Sequence, residues 1–364
     1  LRASNGGLHD PRKIMVRATN WVGDGVISLP ALEALRIRFP ESEIVLVAKP
    51  WVSELYLHHP AVNRQIVYDA DGEHRGMGGM RKLIESLRAE QFDAAILFQN
   101  AFQAAWMAWR AKIPVRLGYA RDARAMLLTD AIDVPPRAAY GHQAYYYLHL
   151  LFRAGVIEKP ELPRPTNEPL LTLLETEKTW AIKQLRSLGL DGPRFLVGLN
   201  PGAHFGPAKR WQPERFAELA DRLIGALHAD VLIFGSPGER PLAETIAHAM
   251  KHTPTLVAGE TTLRQFMALL AQCRLVVNND SGPMHLAAAL GLPQVAIFGS
   301  TNERSTGPLS TSARIVKHAV PCSPCGLREC PIDFRCMMGV TVENVHRAAL
   351  ELVKELNIRY DRNR

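Results

Sequence analysis

No run of eighteen apolar residues occurs in the chain, so no segment reads as a membrane-spanning helix. Residues 1–12 are polar, contain glycine and lack an apolar stretch; this argues against a secretory signal, and a loose tail on a cytoplasmic protein is expected. No G-x-G-x-x-G follows a strand pattern, which counts against a dehydrogenase, and no G-x-x-x-x-G-K-[ST] phosphate loop is present. The net charge of +7 is not gathered into one dense basic block. No zinc finger, RNA-binding aromatic signature or helix-turn-helix cue accompanies it, so no nucleic acid is expected as partner. A nucleotide or a phospholipid surface remains a suitable anionic partner.

What is present is ordinary globular composition, 47% hydrophobic and 22% charged over 364 residues, a length that favours two domains. Short β-rich runs at 14–18, 44–48, 65–68, 94–98 and 115–119 alternate with helical patterns at 31–39, 80–90 and 101–111, then 143–154. Residues 158–169 hold four prolines and mixed charge, the best linker in the chain. A second alternation follows. Strands are expected at 195–199, 231–234, 255–257, 275–278 and 294–298. Helices are expected at 176–188, 213–227, 241–251, 263–273, 283–290 and 342–356. The fold class is therefore α/β, with two Rossmann-like halves. The expected domains are 13–165 and 170–340, followed by a C-terminal helix over 341–357. Ligands in such sheets bind beyond the carboxyl ends of the strands.

The richest motif is Asn278-Asn279-Asp280-Ser281-Gly282-Pro283-Met284-His285. A strand enters a turn and a helix opens near Pro283, since proline suits a first turn. Free N–H groups and the helix dipole attract phosphate there, with His285 in the first turn beside it. Asp280 or Ser281 could instead cap the helix, a role that leaves His285 unexplained. Asn200-Pro201-Gly202-Ala203, then Gly206 and Ala208-Lys209-Arg210-Trp211, follow the first strand of the second half. Glycines permit close approach of a ligand and the cations supply charge; the plain alternative is an exposed basic loop.

Thr19-Asn20-Trp21-Val22-Gly23-Asp24-Gly25 follows the first strand and sets Asp24 on a turn, as a base or as a helix cap. Phe234-Gly235-Ser236-Pro237-Gly238-Glu239 offers Glu239 to ribose hydroxyls or to a helix dipole. Asp69-Ala70-Asp71 has the form of a divalent-cation pair but reads more simply as a solvated loop. Cys322, Cys325, Cys330 and Cys336 are spaced to wrap one tetrahedral zinc or to be partly buried thiols in a loop-rich segment; either role is structural.

Taken together, these motifs resemble the lipopolysaccharide heptosyltransferases, glycosyltransferase family 9, from about residue 13 to residue 356. The resemblance rests on Trp21-Val22-Gly23-Asp24 with Leu29-Pro30-Ala31-Leu32, on Ala208-Lys209-Arg210-Trp211, and on Asn279-Asp280-Ser281-Gly282-Pro283-Met284-His285 running on to Leu290. Phe298-Gly299-Ser300-Thr301 and Thr306-Gly307-Pro308 continue it. Within the family the pattern is most like heptosyltransferase II. The resemblance implies a GT-B fold, two Rossmann-like domains facing across a cleft. It implies ADP-L-glycero-D-manno-heptose as donor, the inner-core heptose on Kdo–lipid A as acceptor, and inversion without metal or cofactor.

Carried onto this chain, Asp24 matches the catalytic base and Lys209 the donor-phosphate lysine. Asp280, Ser281, Gly282 and His285 match the donor-binding loop, and Glu239 lies near the ribose-binding acid. Gln212 departs from the pattern, because proline usually follows the tryptophan directly and here Pro213 comes one residue late. For an anionic lipid acceptor the candidate basic residues are Lys112, Arg116, Arg121 and Arg124. Trp106 and Trp109 could meet the inner membrane peripherally or equally be buried. The alternatives are a type I or III heptosyltransferase and a non-catalytic sugar-nucleotide-binding protein.

Overall fold

Apolar runs that follow one another with helices between them are buried on both faces, which is what a parallel sheet sandwiched by helices requires. The computed structural model describes residue 8 and residues 10–191 and 195–358. The chain divides into two compact units between Pro165 and Thr166.

In the first unit the strands are β1 (Lys13–Arg17), β2 (Glu43–Ala48), β3 (Arg64–Val67), β4 (Ala94–Leu97), β5 (Val115–Tyr119) and β6 (Asp130–Ile132). They pair in parallel in the order β3-β2-β1-β4-β5-β6. Ile14 sits opposite both Ile44 and Ala94. The second unit has β7 (Phe195–Asn200), β8 (Ala229–Ile233), β9 (Thr255–Leu256), β10 (Leu275–Asn279), β11 (Gln294–Phe298) and β12 (Ala313–Lys317). Its order is β12-β11-β10-β7-β8-β9, and Asn278 lies opposite Asn200.

Counted from its own first strand, each sheet runs 3-2-1-4-5-6, the dinucleotide-fold order. Its crevice opens where the first and fourth strands meet. In the two units those places are β1/β4 and β7/β10.

The cores follow from the same pattern. Met15, Val45, Val47, Ala95 and Leu97 pack under Leu83, Leu87 and Met107 in the first unit. In the second, Val197, Leu199, Val231 and Val277 pack with Phe216 and Leu223. Val345, Ala349 and Leu352 of the terminal helix Val342–Glu355 complete that core, so this helix is part of the second unit. Each fully buried aliphatic side chain of this kind is worth about 1.5–3 kcal/mol.

Three expectations are corrected. The first helix spans Val22–Arg38, nine residues earlier than its apolar pattern suggested, and runs through Pro30. Two edge strands, β6 and β12, were not expected; β12 exposes alternate residues instead of forming an apolar run. The polar tail falls largely outside the described residues, but Pro11 and Arg12 are pinned. The Ser42 hydroxyl donates to the Pro11 carbonyl, and the Glu43 N–H to that of Arg12 at 2.8 Å.

Candidate active site

The loop after β7 carries Lys209 and the turn after β10 carries Asp280, and the two meet. Lys209 Nζ lies 2.6 Å from Asp280 Oδ2, with both side chains largely buried. The Thr301 hydroxyl, from the loop after β11, donates to the same carboxylate oxygen. The Lys209 ammonium also stands 4.9 Å from the centre of the Phe205 ring. Asp280 is therefore not a helix cap. Ser281 holds the N-cap position of helix Gly282–Ala289, yet its hydroxyl donates to the Asn279 carbonyl at 3.4 Å and caps nothing. His285 is buried in the first turn.

Side-chain amides fix these loops from below. Asn200 Nδ2 donates to Asn278 Oδ1 at 2.7 Å, and Asn278 Nδ2 to Gln294 Oε1 at 2.9 Å. Gln294 Nε2 donates in turn to the Met284 carbonyl inside the helix, at 3.1 Å. Asn279 holds both ends of the loop after β7: its Nδ2 donates to the Pro201 carbonyl at 2.6 Å, and its Oδ1 accepts from the Trp211 N–H at 3.2 Å. Trp211 is buried and its indole N–H donates to the Val340 carbonyl at 2.9 Å. The extra residue Gln212 thus leaves Lys209 anchored.

The cysteine segment acts as a buttress. The Ala208 N–H donates to the Arg328 carbonyl at 3.1 Å, and a Cβ on Gly206 would stand 2.3 Å from that oxygen. On the other side the Gly326 N–H donates to the Ser300 carbonyl at 2.7 Å, and the Ser323 hydroxyl to that of Gly299 at 2.6 Å. The segment thus supports both the Lys209 loop and the Thr301 loop. Cys336 is buried, Cys322 and Cys325 are exposed, and all four thiols are free. Among the described residues no three His, Cys, Asp or Glu side chains are grouped to hold a metal, so the zinc expectation finds no ligand set.

Glu239 belongs to the same edge of the sheet. Its Oε2 accepts from the N–H and the hydroxyl of Ser236, both at 2.8 Å, and its carboxylate lies over Gly202. A Cβ on Gly202 would be 1.9 Å from Glu239 Oε1, so glycine at 202 makes room for that carboxylate.

In the first unit Asp24 lies within the first turn of helix Val22–Arg38, not on a turn before it. Trp21 is the N-cap residue, so Asp24 is not the cap either. A carboxylate there is favoured by the helix dipole. Tyr147 and Tyr56 border it. Burial raises both phenols, Tyr56 to about 12, and the negative charge of Asp24 adds to the effect. Gly25 is needed for packing, because a Cβ would stand 2.8 Å from Leu55 Cδ2.

Several candidates turn out to be structural. Asp69 Oδ1 accepts from the N–H groups of Asp71 (3.3 Å) and Gly72 (2.9 Å), closing a turn. Arg116 donates to the carbonyls of Leu127, Ile113 and Pro114. Arg124 is buried and donates to those of Tyr119 and Gln99 and to Asn100 Oδ1. Trp106 packs on the core, whereas Trp109 is exposed. Residues that sequence reasoning passed over are Gln294 and Arg328, and Thr301 was quoted only within the family pattern, without a role. Two adjacent asparagines ending an apolar strand were the available signal of a buried amide network.

The model of glycosyltransferase family 9 (heptosyltransferase) matches residues 80–334. Lipopolysaccharide heptosyltransferase 2 of Escherichia coli (strain K12) is 35% identical over 310 residues, covering 84% of this chain and 88% of the relative. Among solved structures, E. coli ADP-heptose LPS heptosyltransferase II superposes with a TM-score of 0.80 at 31% identity, covering 95% of this chain and 99% of that one. The family 9 glycosyl transferase from Veillonella parvula gives 0.84 at 25% identity, covering 94% and 98%. The two six-stranded Rossmann-like units are those of the GT-B fold.

Proposed function

The chain belongs to glycosyltransferase family 9, the heptosyltransferases, and from this we propose that it moves L-glycero-D-manno-heptose from ADP-heptose to the inner-core heptose of lipopolysaccharide, on a Kdo–lipid A acceptor. The observation that carries the reading is the Lys209–Asp280 contact at the β7/β10 crevice, beside the N terminus of helix Gly282–Ala289. A cation, a helix N terminus and a glycine turn at one strand edge suit a diphosphate.

In this proposal residues 170–340 form the donor domain and residues 13–165 the acceptor domain. The diphosphate lies against the turn at Ser281 and Gly282, with His285 lining the pocket and Glu239 holding ribose hydroxyls. Asp24 takes the proton of the acceptor hydroxyl as its oxygen attacks the anomeric carbon. The bond to ADP breaks on the opposite face, the electron pair leaves with ADP, and configuration inverts. Lys209 stabilises the charge that grows on the leaving phosphate, an electrostatic role that often dominates catalysis. Asp280 and Thr301 hold that lysine at the crevice.

No metal has a part in this mechanism, and transfer is expected to continue unchanged in EDTA. No helix among the described residues is long and apolar enough to cross a membrane. Contact with a membrane-borne acceptor would then be peripheral, and co-sedimentation with anionic vesicles should weaken as salt is raised.

The test is mass detection of heptose transfer to a heptose-deficient core acceptor supplied with ADP-heptose. The expected result is a gain of one heptose with ADP release that requires acceptor. Donor consumption without acceptor, or donor binding without turnover, would overturn the reading.

A further inference from the structure

At the carboxyl ends of β1 and β2 two cations share one aromatic ring. The Lys49 ammonium stands 4.1 Å from the centre of the Tyr68 ring and 5.5 Å from that of Trp51. The Arg17 guanidinium stands 5.6 Å from the same Tyr68 ring. Arg17 is buried and donates to the carbonyls of Ala18 (2.6 Å) and Val47 (3.2 Å) and to Asn20 Oδ1 (2.8 Å). Its partners are all neutral. Lys49, half-buried, makes no ion pair among the described residues. Asp69 and Asp71 are the opposing charges it feels, and the Asp69 carboxylate closes its own turn.

Holding two cations together without a bound carboxylate is costly. Burial and the charge of Arg17 both push the Lys49 ammonium below its ordinary value, and an entering anion would relieve that. Each wall is held by a hydrogen bond: Trp51 Nε1 donates to the Asn20 carbonyl at 2.8 Å, and Gln103 Nε2 to the Tyr68 hydroxyl at 2.9 Å. Asn20, which both Arg17 and Trp51 hold, lies on the loop that leads into Asp24.

We propose that Lys49, backed by Arg17 and walled by Tyr68 and Trp51, is an oxyanion subsite for the acceptor. It takes a carboxylate or phosphate group carried by the acceptor saccharide and so positions the acceptor hydroxyl for Asp24. Lys49 is a specificity and positioning residue, and the proposal rests on the transferase reading above. Of the basic residues considered for the acceptor, Arg116 and Arg124 donate to carbonyls of their own unit, whereas Lys49 makes no such bond among the described residues.

Steady-state kinetics of Lys49→Gln test it. The acceptor KM should rise at least about tenfold while the donor KM and ADP affinity stay within about twofold, and Lys49→Arg should recover most of the loss. Acceptors stripped of phosphate, or with carboxyl groups esterified, identify the group: native protein and Lys49→Gln should converge on one of them. An acceptor KM unchanged by Lys49→Gln overturns the proposal.

A second measurement does not depend on turnover. With the protein saturated in ADP, inorganic phosphate should raise the unfolding temperature of the native chain and leave that of Lys49→Gln unmoved. Equal responses overturn the subsite. A difference without any heptose transfer would overturn the transferase reading and leave the subsite standing.

Discussion

Lys209 and Asp280, 71 residues apart in the chain, share a contact of 2.6 Å from which water is largely excluded. The pair joins the loop after the first strand of the second unit to the turn after its fourth. The position where a doubly wound sheet opens its crevice is thereby also where this buried ion pair sits.

Breaking that pair should leave one buried charge uncompensated. Lys209→Met and Asp280→Ala are each expected to cost about 3 kcal/mol of the second unit's stability. The double variant should cost less than the sum of the two, by about 0.5–3 kcal/mol. Urea unfolding of the four proteins measures the coupling, and strict additivity would mean that the contact carries no energy. In kinetics Lys209→Met should lower kcat by about a hundred- to a thousandfold, the loss found when one electrostatic stabiliser is removed.

Gly202→Ala isolates Glu239 without touching it. The new methyl group would fall 1.9 Å from Glu239 Oε1 and displace a carboxylate that Ser236 otherwise holds. The unfolding temperature should change little, because the far end of a side chain can move. The donor KM should rise about five- to tenfold, the worth of one hydrogen bond. An unchanged donor KM would remove Glu239 from the donor pocket.

Much of this was legible beforehand. Strands buried on both faces announce themselves as apolar runs, and the Lys209 and Asp280 motifs follow the strands they were expected to follow, whereas Asp24 lies inside a helix and not on a turn. The start of the first helix was not legible, because Gly23, Gly25 and Pro30 all read as breakers. Gly25 answers to packing against Leu55, a tertiary demand with no local signature. The strand β12 escaped because Arg314 and Lys317 interrupt its apolar residues at a sheet edge. Thr301, Gln294 and Arg328 contribute through partners far away in sequence, so spacing could not reveal those roles.

His59 sets a pH dependence of folding. Its ring is buried, its Nδ1 accepts from the Ala61 N–H at 3.2 Å, and burial together with the nearby Arg164 charge lowers it to about 4. The unfolded imidazole titrates near 6.5. Between those values the unfolded chain binds more protons, so stability is full above about pH 6.5 and falls as pH drops toward 4. From pH 7 to pH 5 this residue should remove about 2 kcal/mol. Urea unfolding of His59→Leu at both pH values should show a smaller drop than the native chain; an equal drop would contradict the assignment.

The most direct test of the account measures Asp24→Ala twice, for heptose transfer and for ADP binding. A general base in the first unit, distinct from a donor pocket in the second, predicts turnover reduced by about a hundred- to ten-thousandfold. The ADP dissociation constant should stay within about twofold. Near-native turnover would leave Asp24 an ordinary carboxylate at a helix N terminus, and loss of ADP binding would show that it does not act on the acceptor.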